Sequence, residues 1–530
     1  MTDYKSGGLV NWLSRPVCVT LCLALALMGT VSALRRPPLA DVAWQLYLAA
    51  QNLDGARLDV DYLENNPPLI VWLATAPVAG TRMTGIAPYY GMLILLLVLS
   101  AVSLVTSERL LARLPNLPHT ARNALVLSAC FAVFILPRLD FTQREHLALV
   151  LTLPWMCLAM VRSSGKTVPR GAAAGIGLAG AIGFALKPYF LFAWLLVEAY
   201  LVYRTGKRVL MRTELITLVG AGLIYVAAVL VLTPGYLPFA LAVRPLYQTY
   251  LNNGVVGAIV LALITPLPLF LLAALAHWNV DREPDAVRDV LLAATLGFFF
   301  GAIAQQKGWR YHYVAALGYG FMLLAAVVLR SVKRPSRQVS VMISAMVVRL
   351  SWLVVLGVTI SVSAATLLEL RAADQSQYRE DPNLDLLLPV VRREAAGQRI
   401  MVFSSNPASG WPLTTEAGAL WSSRYLHLWQ LAALYHHELW DQDGPVVFRT
   451  LPQRTGLERQ FHDAVIEDLE RYSPRLLVVL ELDDAMRSAG GAARLDYLKY
   501  FGEDPRFVRF FSNYDDIGRV GLYRLYRRRA

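Results

Sequence analysis

Apolar runs of membrane-crossing length recur along the chain, separated by short polar stretches. They cover residues 16–34, 89–106, 124–136, 147–161, 171–186, 189–202, 215–232, 255–276, 290–304, 314–329 and 350–367. A helix needs about 20 apolar residues to span a bilayer, so this pattern predicts about eleven crossings, several of them short. Beyond residue 368 the pattern changes. Strand-like runs at 399–404, 475–480, 507–511 and 521–526 alternate with helical stretches at 414–421, 426–440, 456–472 and 488–500. That alternation predicts a small α/β domain. The expected fold is an all-α polytopic membrane domain at 1–368, followed by an α/β domain at 369–530.

Composition agrees with the membrane reading. Hydrophobic residues make up 56% of 530 residues, more than a soluble chain of that length needs for its core. The net charge of +12 does not argue for nucleic acid, because basic residues gather in the loops of membrane proteins. Cys18, Cys22, Cys130 and Cys157 all lie in apolar runs and have no metal-ligand spacing, so they read as packing residues. The first run is long for a signal-peptide core and reads as an uncleaved span, although Val31-Ser32-Ala33 mimics a cleavage site.

Charge orients the crossings. The loops after the second, fourth, sixth, eighth and tenth runs carry Arg109 and Arg113, Arg162 and Lys166, Lys207 and Arg208, Arg282 and Arg288, and Lys333 and Arg334. Even-numbered exits are therefore expected in the cytoplasm, with the N-terminus inside and the C-terminal domain outside. Arg35 and Arg36 are exceptions. This parity gathers the unusual polar segments on the outer face: 35–88, "RLDFTQREH" at 138–146, "LKP" at 186–188, 233–254 and "AQQKGWRYHY" at 304–313. Ionisable residues near a membrane core are costly and mark functional sites.

The loop 35–88 reads as an amphipathic helix from Val42 to about Leu53, a turn at Asp54-Gly55, an extended Asn65-Asn66-Pro67-Pro68 and a second helix from Leu69. Asp41 on its own reads equally as the cap of the first helix. The acidic residue after the first span, the interfacial helix and "PPLIVWL" resemble the GT-C superfamily of membrane glycosyltransferases. They are similar to the bacterial relatives of protein O-mannosyltransferases and of the lipid A aminoarabinose transferase. The resemblance covers roughly residues 1–370 and is clearest at 41–73. This chain has Asp41-Val42 where the family has two acids, and Asn66 where it often has lysine.

The resemblance implies inverting transfer of a sugar from a polyprenyl-phosphate donor to a cell-envelope lipid, glycan or protein, at the outer face of the cytoplasmic membrane. Such transfer needs a base for the acceptor hydroxyl and cations for the phosphate. Asp41 is the expected base. Lys307, Arg310, His312, Lys187 and Arg144 are the expected phosphate ligands. Glu145, His146, Asp61 and Glu64 are expected at the donor or acceptor, while Asp59 reads as a solvated turn residue. A helix cap also fits Glu145 but does not explain Arg144 beside it, and Lys187, Lys307 and Arg310 also fit headgroup anchors. The segment 233–254 fits a mobile outer loop or a set of tyrosine anchors. Trp411, Trp421, Trp429 and Trp440 fit core packing before sugar stacking. No metal or other cofactor is expected, although a divalent metal stays compatible with the chemistry. His436-His437-Glu438 reads as structural, since adjacent helix residues point apart. The alternative is a transporter or flippase for a lipid-linked saccharide, which favours midplane polar groups and an internal repeat.

Overall fold

The computed structural model describes residues 13–115, 117–280, 285–331, 341–371, 379–440, 446–481 and 495–529. Arg282, Lys333 and Arg334, and the first part of the helix expected at 488–500, lie outside the described residues. Helices follow in the order α1 (Arg15–Leu34), α2 (Ala40–Leu53), α3 (Leu69–Thr84), α4 (Pro88–Leu111), α5 (His119–Phe134), α6 (Arg144–Ser163), α7 (Arg170–Ala185) and α8 (Leu191–Thr205). Then come α9 (Thr213–Leu232), α10 (Tyr236–Thr249), α11 (Gly254–Leu263), α12 (Leu267–Val280), α13 (Ala286–Ala304), α14 (Val314–Ser331) and α15 (Val341–Arg371).

Every expected span falls on a helix except the eighth, which is split into α11 and α12. Pro266 stands at the break, where its missing N–H and its ring disfavour a continuous helix. Among the described residues, seven helices are long and apolar enough to cross a membrane: α1, α4, α6, α9, α13, residues 310–328 leading into α14, and residues 349–371 of α15. That is fewer than the eleven runs of the hydropathy pattern, because α5, α7, α8, α11 and α12 are shorter helices.

The chain divides into two compact units. The first is drawn from Met1–Arg35, Tyr90–Ala227 and Asn253–Ala373, the second from Arg36–Tyr89, Ala228–Asn252 and Asp374–Ala530. The second unit thus takes in 36–89 and 228–252, two stretches that the sequence assigns to the membrane domain.

In the first unit α6 is buried along its length, from Arg144 to Val161, and packs against α7, α13 and α14. By contrast α9 exposes Leu223, Ile224 and Val226, the surface expected of a lipid-facing helix. Close backbone approach needs small residues, and Gly297 supplies one. A Cβ there would lie 2.2 Å from Ala193 Cα, so α13 and α8 touch backbone to backbone. At one end of α6, Arg162 grips the buried Glu214 through two bonds of 2.8 and 2.9 Å. A basic loop residue is thereby also a helix-to-helix tie.

The second unit holds α2, α3, α10 and the C-terminal elements: α16 (Leu384–Ala395), α17 (Leu413–Glu416), α18 (Trp429–Leu434), α19 (His436–Trp440), α20 (Gly456–Tyr472), α21 (Tyr497–Gly502) and α22 (Pro505–Phe511). Its strands are β1 (Arg399–Phe403), β2 (Leu420–Trp421), β3 (Leu476–Leu480), β4 (Tyr514–Val520) and β5 (Tyr523–Arg528). They form one sheet in the order β2-β1-β3-β5-β4. β1 is parallel to β2 and β3, whereas β5 is antiparallel to β3 and β4.

The strand expected at 507–511 is the helix α22. The carboxylate of Asp504 caps it by accepting the Arg506 N–H at 2.7 Å, and Pro505 sits in its first turn, so capping chemistry overrides the aromatic run. The helix expected at 414–421 stops at Glu416 and gives way to β2. The polar strand β4 (YDDIGRV) carries no apolar alternation and was not legible.

Candidate functional site

The first unit brings together residues from three loops. Pro188 forces Lys187 into an extended conformation (φ −147°, ψ 137°), which ends α7. The Lys187 ammonium then donates to Glu145 Oε1 at 2.6 Å and to Gln305 Oε1 at 3.1 Å, and lies 5.3 Å from the Tyr311 ring centre. Glu145 and Lys187 are both buried. Arg310 forms a two-pronged pair with Asp140, at 2.9 and 2.8 Å, across 170 residues of sequence. Asp140 is buried, while the Arg310 side chain is mostly exposed. Asp140 lies inside "RLDFTQREH" but nothing in the sequence distinguished it.

The loop 305–309 owes its shape to two residues with positive φ, Gln306 (56°) and Gly308 (64°). At Gly308 the left-handed φ favours glycine, and a Cβ there would also push the Leu261 side chain aside, since it would sit 2.2 Å from Leu261 Cδ1. Asn253 holds the loop by donating its Nδ2–H to the Lys307 carbonyl at 2.6 Å and its N–H to the Gln306 carbonyl at 3.0 Å. Lys307 is buried, and burial lowers its pKa from 10.5 to about 8. His312 is buried among Trp309 and Tyr311, close enough to Lys187, Arg144 and Lys307 for their charges to act on it. Arg144 and His146 are also buried, at the first turn of α6. The structure thus groups the sequence-predicted phosphate ligands Arg144, Lys187, Lys307 and His312 with Glu145 and His146, and Arg310 lies on the loop of Lys307 and His312.

Asp41, Asp61 and Glu64 belong to the second unit. Asp41 is not a cap: Leu39 takes that position and Asp41 lies in the first turn of α2. The N–H of Ala40, one residue earlier, donates to Glu380 Oε2 at 2.7 Å. The helix is buried from Val42 to Ala49, which is more than an interfacial helix lying on one apolar face would bury. Trp44 and Tyr47 pack against Tyr62 and Trp411, and the Tyr47 hydroxyl accepts the Trp421 N–H at 3.0 Å.

The neighbouring acids make contacts within this unit. Glu64 accepts from Trp44 Nε1 at 2.7 Å and from the backbone and side chain of Asn66 at 2.9 and 2.7 Å. Asp61 accepts the Arg57 N–H at 3.0 Å and lies 3.6 Å from Arg471. Asp59 is buried, unlike a solvated turn residue, and accepts the Gly235 N–H at 2.9 Å at the start of α10. The segment 233–254 contains that helix, and α10 packs on α18 within this unit. Trp411, Trp421 and Trp429 are buried in the aromatic core.

One group with metal-ligand spacing occurs among the described residues, formed by His462, Asp463 and Asp504. The Arg506 guanidinium bonds both carboxylates, at 2.5 and 2.8 Å, and so already supplies their counter-charge. His436 and His437 are outside this group.

No family model and no curated protein matches the chain. Among solved structures, the chain is similar to the oligosaccharyltransferase of Archaeoglobus fulgidus in its apo form, at 12% identity and a TM-score of 0.47, covering 88% of this chain and 70% of that one. It is also similar to the arabinofuranosyltransferase AftD from mycobacteria, at 14% identity and a TM-score of 0.45, covering 99% of this chain and 40% of that one. These likenesses are partial, and the chemistry has to come from the residues of this chain.

Proposed function

We propose that the protein is a multi-pass membrane glycosyltransferase of the GT-C type that moves a sugar from a polyprenyl-phosphate donor to a hydroxyl-bearing acceptor of the cell envelope. The observation that carries this reading is the polar cluster of the first unit. The loops 138–146, 186–188 and 304–313 bring the buried Arg144, Lys187 and Lys307 around His312, with Glu145 on Lys187 and with the mostly exposed Arg310 on Asp140. Burying such charge is expensive, and an anionic ligand is the chemistry that offsets it. The phosphodiester of the donor carries one negative charge and the phosphate monoester released by transfer carries up to two, and either has acceptor oxygens to exchange with Glu145 and Asp140 for their cations.

In the proposed reaction the acceptor hydroxyl oxygen attacks the anomeric carbon as the bond to the phosphate oxygen breaks. Asp41 takes the hydroxyl proton, and the electron pair of the broken bond stays on the polyprenyl phosphate. One displacement inverts the anomeric centre. No general acid is needed, because the leaving phosphate is stabilised by Lys307, Lys187, Arg144, Arg310 and His312. Glu145 holds Lys187, and Glu145, His146, Asp61 and Glu64 bind the donor or the acceptor.

We further propose eleven crossings, with α5, α7, α8 and the α11–α12 pair as short spans beside the longer helices. The basic even-numbered exits support a cytoplasmic N-terminus and an extracytoplasmic second unit in the inner membrane.

The reading is tested with the full chain in nanodiscs, polyprenyl-phosphate sugars as donors, and a panel of envelope lipids and glycans as acceptors. Transfer with inversion at the anomeric carbon, read by NMR of the product, is the expected result. Movement of the donor across the bilayer without transfer to any acceptor would replace the enzyme with a flippase.

A further inference from the structure

In the second unit, β1 pairs with β2 on one side and with β3 on the other, both in parallel. The chain therefore changes direction around β1, and the carboxyl end of such a strand is where α/β sheets receive ligands. That end runs Phe403-Ser404-Ser405. Ser404 and Ser405 are buried, and their backbone groups are engaged. Leu428 N–H donates to the Ser404 carbonyl at 2.9 Å, and Ser405 N–H donates to the Tyr497 hydroxyl at 2.7 Å. The Tyr250 hydroxyl donates to the Ser405 carbonyl at 2.8 Å.

This last bond fixes the state of a histidine. A backbone carbonyl only accepts, so the Tyr250 hydrogen is committed to Ser405. The same hydroxyl lies 3.4 Å from His427 Nε2, and its oxygen is left to accept there. His427 Nε2 therefore carries the hydrogen, and Nδ1 of the neutral ring carries a lone pair. The ring stays neutral because burial lowers its pKa to about 3. His427 is 8% exposed, and its Nδ1 has no hydrogen-bond partner among the described residues. A buried acceptor of this kind calls for a donor from outside the chain. The charge of Asp41 acts on Tyr250, which links the cluster to the expected base.

We propose that His427 Nδ1 accepts a hydrogen bond from a hydroxyl of a saccharide, the acceptor substrate, making Tyr250, Ser405 and His427 a hydroxyl-recognition point. The assignment of that saccharide as acceptor rests on the sugar-transfer reading; the hydroxyl site itself does not. An ordered water is the competing occupant, and the control compound below separates the two.

The test uses the full chain in nanodiscs with 15N-labelled histidine, His427→Phe serving to identify the resonances of His427. The expected tautomer has the hydrogen on Nε2. Methyl α-D-glucopyranoside should move the Nδ1 resonance, and its tetra-O-methyl derivative, which has no hydroxyl, should not. The opposite tautomer, no movement with the glucoside, or equal movement with both compounds would overturn the proposal. Where transfer is measurable, His427→Phe should raise the acceptor KM at least tenfold, leaving kcat and the donor KM within about twofold. His427→Gln, which restores an acceptor atom, should recover part of the loss. An unchanged acceptor KM in His427→Phe would also overturn the proposal. Absence of transfer in the wild type, with the expected NMR response, would remove the enzyme reading and leave the hydroxyl site standing.

Discussion

The two units use buried charge in opposite ways. In the first, ionisable side chains meet across long stretches of sequence: Lys187 with Glu145, and Arg310 with Asp140. In the second, Glu64 bonds Trp44 and Asn66 and Asp61 bonds Arg57 within the loop that carries Asp41, while Asp59 reaches outside that loop to a backbone N–H, that of Gly235. Pairs within a loop shape that loop, whereas Lys187 with Glu145 and Arg310 with Asp140 bring three loops together.

The contrast is sharpest in stability. Glu145→Ala leaves the Lys187 ammonium buried without its carboxylate and should cost about 3–5 kcal/mol. Glu64→Ala removes a neutral-donor bond from Trp44 and should cost about 1–2 kcal/mol. Thermal unfolding in detergent checks both, and equal losses would erase the distinction. Next comes packing: Gly297→Ala forces α13 away from α8 and should cost about 1–3 kcal/mol in the same measurement.

A pH dependence separates the units further. Lys307 has a pKa of about 8 in the folded chain against an ordinary 10.5. Below pH 8 it is charged in both folded and unfolded states. Between about 8 and 10.5 the unfolded chain binds more protons, so this residue makes stability rise with pH across that window. Its grip on an anionic donor runs the other way, present below pH 8 and lost above it. The donor kcat/KM should therefore fall above pH 8, by up to tenfold per unit, and Lys307→Arg should move that descending limb to higher pH. A limb unchanged in Lys307→Arg would remove Lys307 from the donor site. The smallest effect belongs to the second unit: Arg471→Ala breaks a solvent-exposed pair with Asp61 and should change stability by less than about 0.5 kcal/mol in denaturant titration.

Much of this was legible from pattern. The apolar runs located the helices, and Asn65-Asn66-Pro67-Pro68 separated α2 from α3 as the prolines require. The cluster of Arg144, Glu145, Lys187 and Lys307 followed from charge sign at the ends of the spans. What stayed hidden depends on contacts between distant residues. Nothing local marks Asp140 as the partner of Arg310, Asp59 as the anchor of α10, or His427 as the neighbour of Tyr250. The break between α11 and α12 was visible only as Pro266 inside an otherwise continuous apolar run. The grouping of residues 36–89 and 228–252 with the C-terminal sheet is also non-local, carried by bonds such as Leu63 N–H to the Arg424 carbonyl at 2.6 Å.

The role of Asp41 as the base is tested by comparing wild type and Asp41→Asn in the transfer assay at saturating donor. The substitution keeps the size of the side chain and removes its ability to take a proton. Transfer should fall by about 10²–10⁴-fold, while donor binding and the unfolding temperature stay at wild-type values. Full transfer by Asp41→Asn would show that the proton goes elsewhere and would contradict the mechanism proposed for this chain.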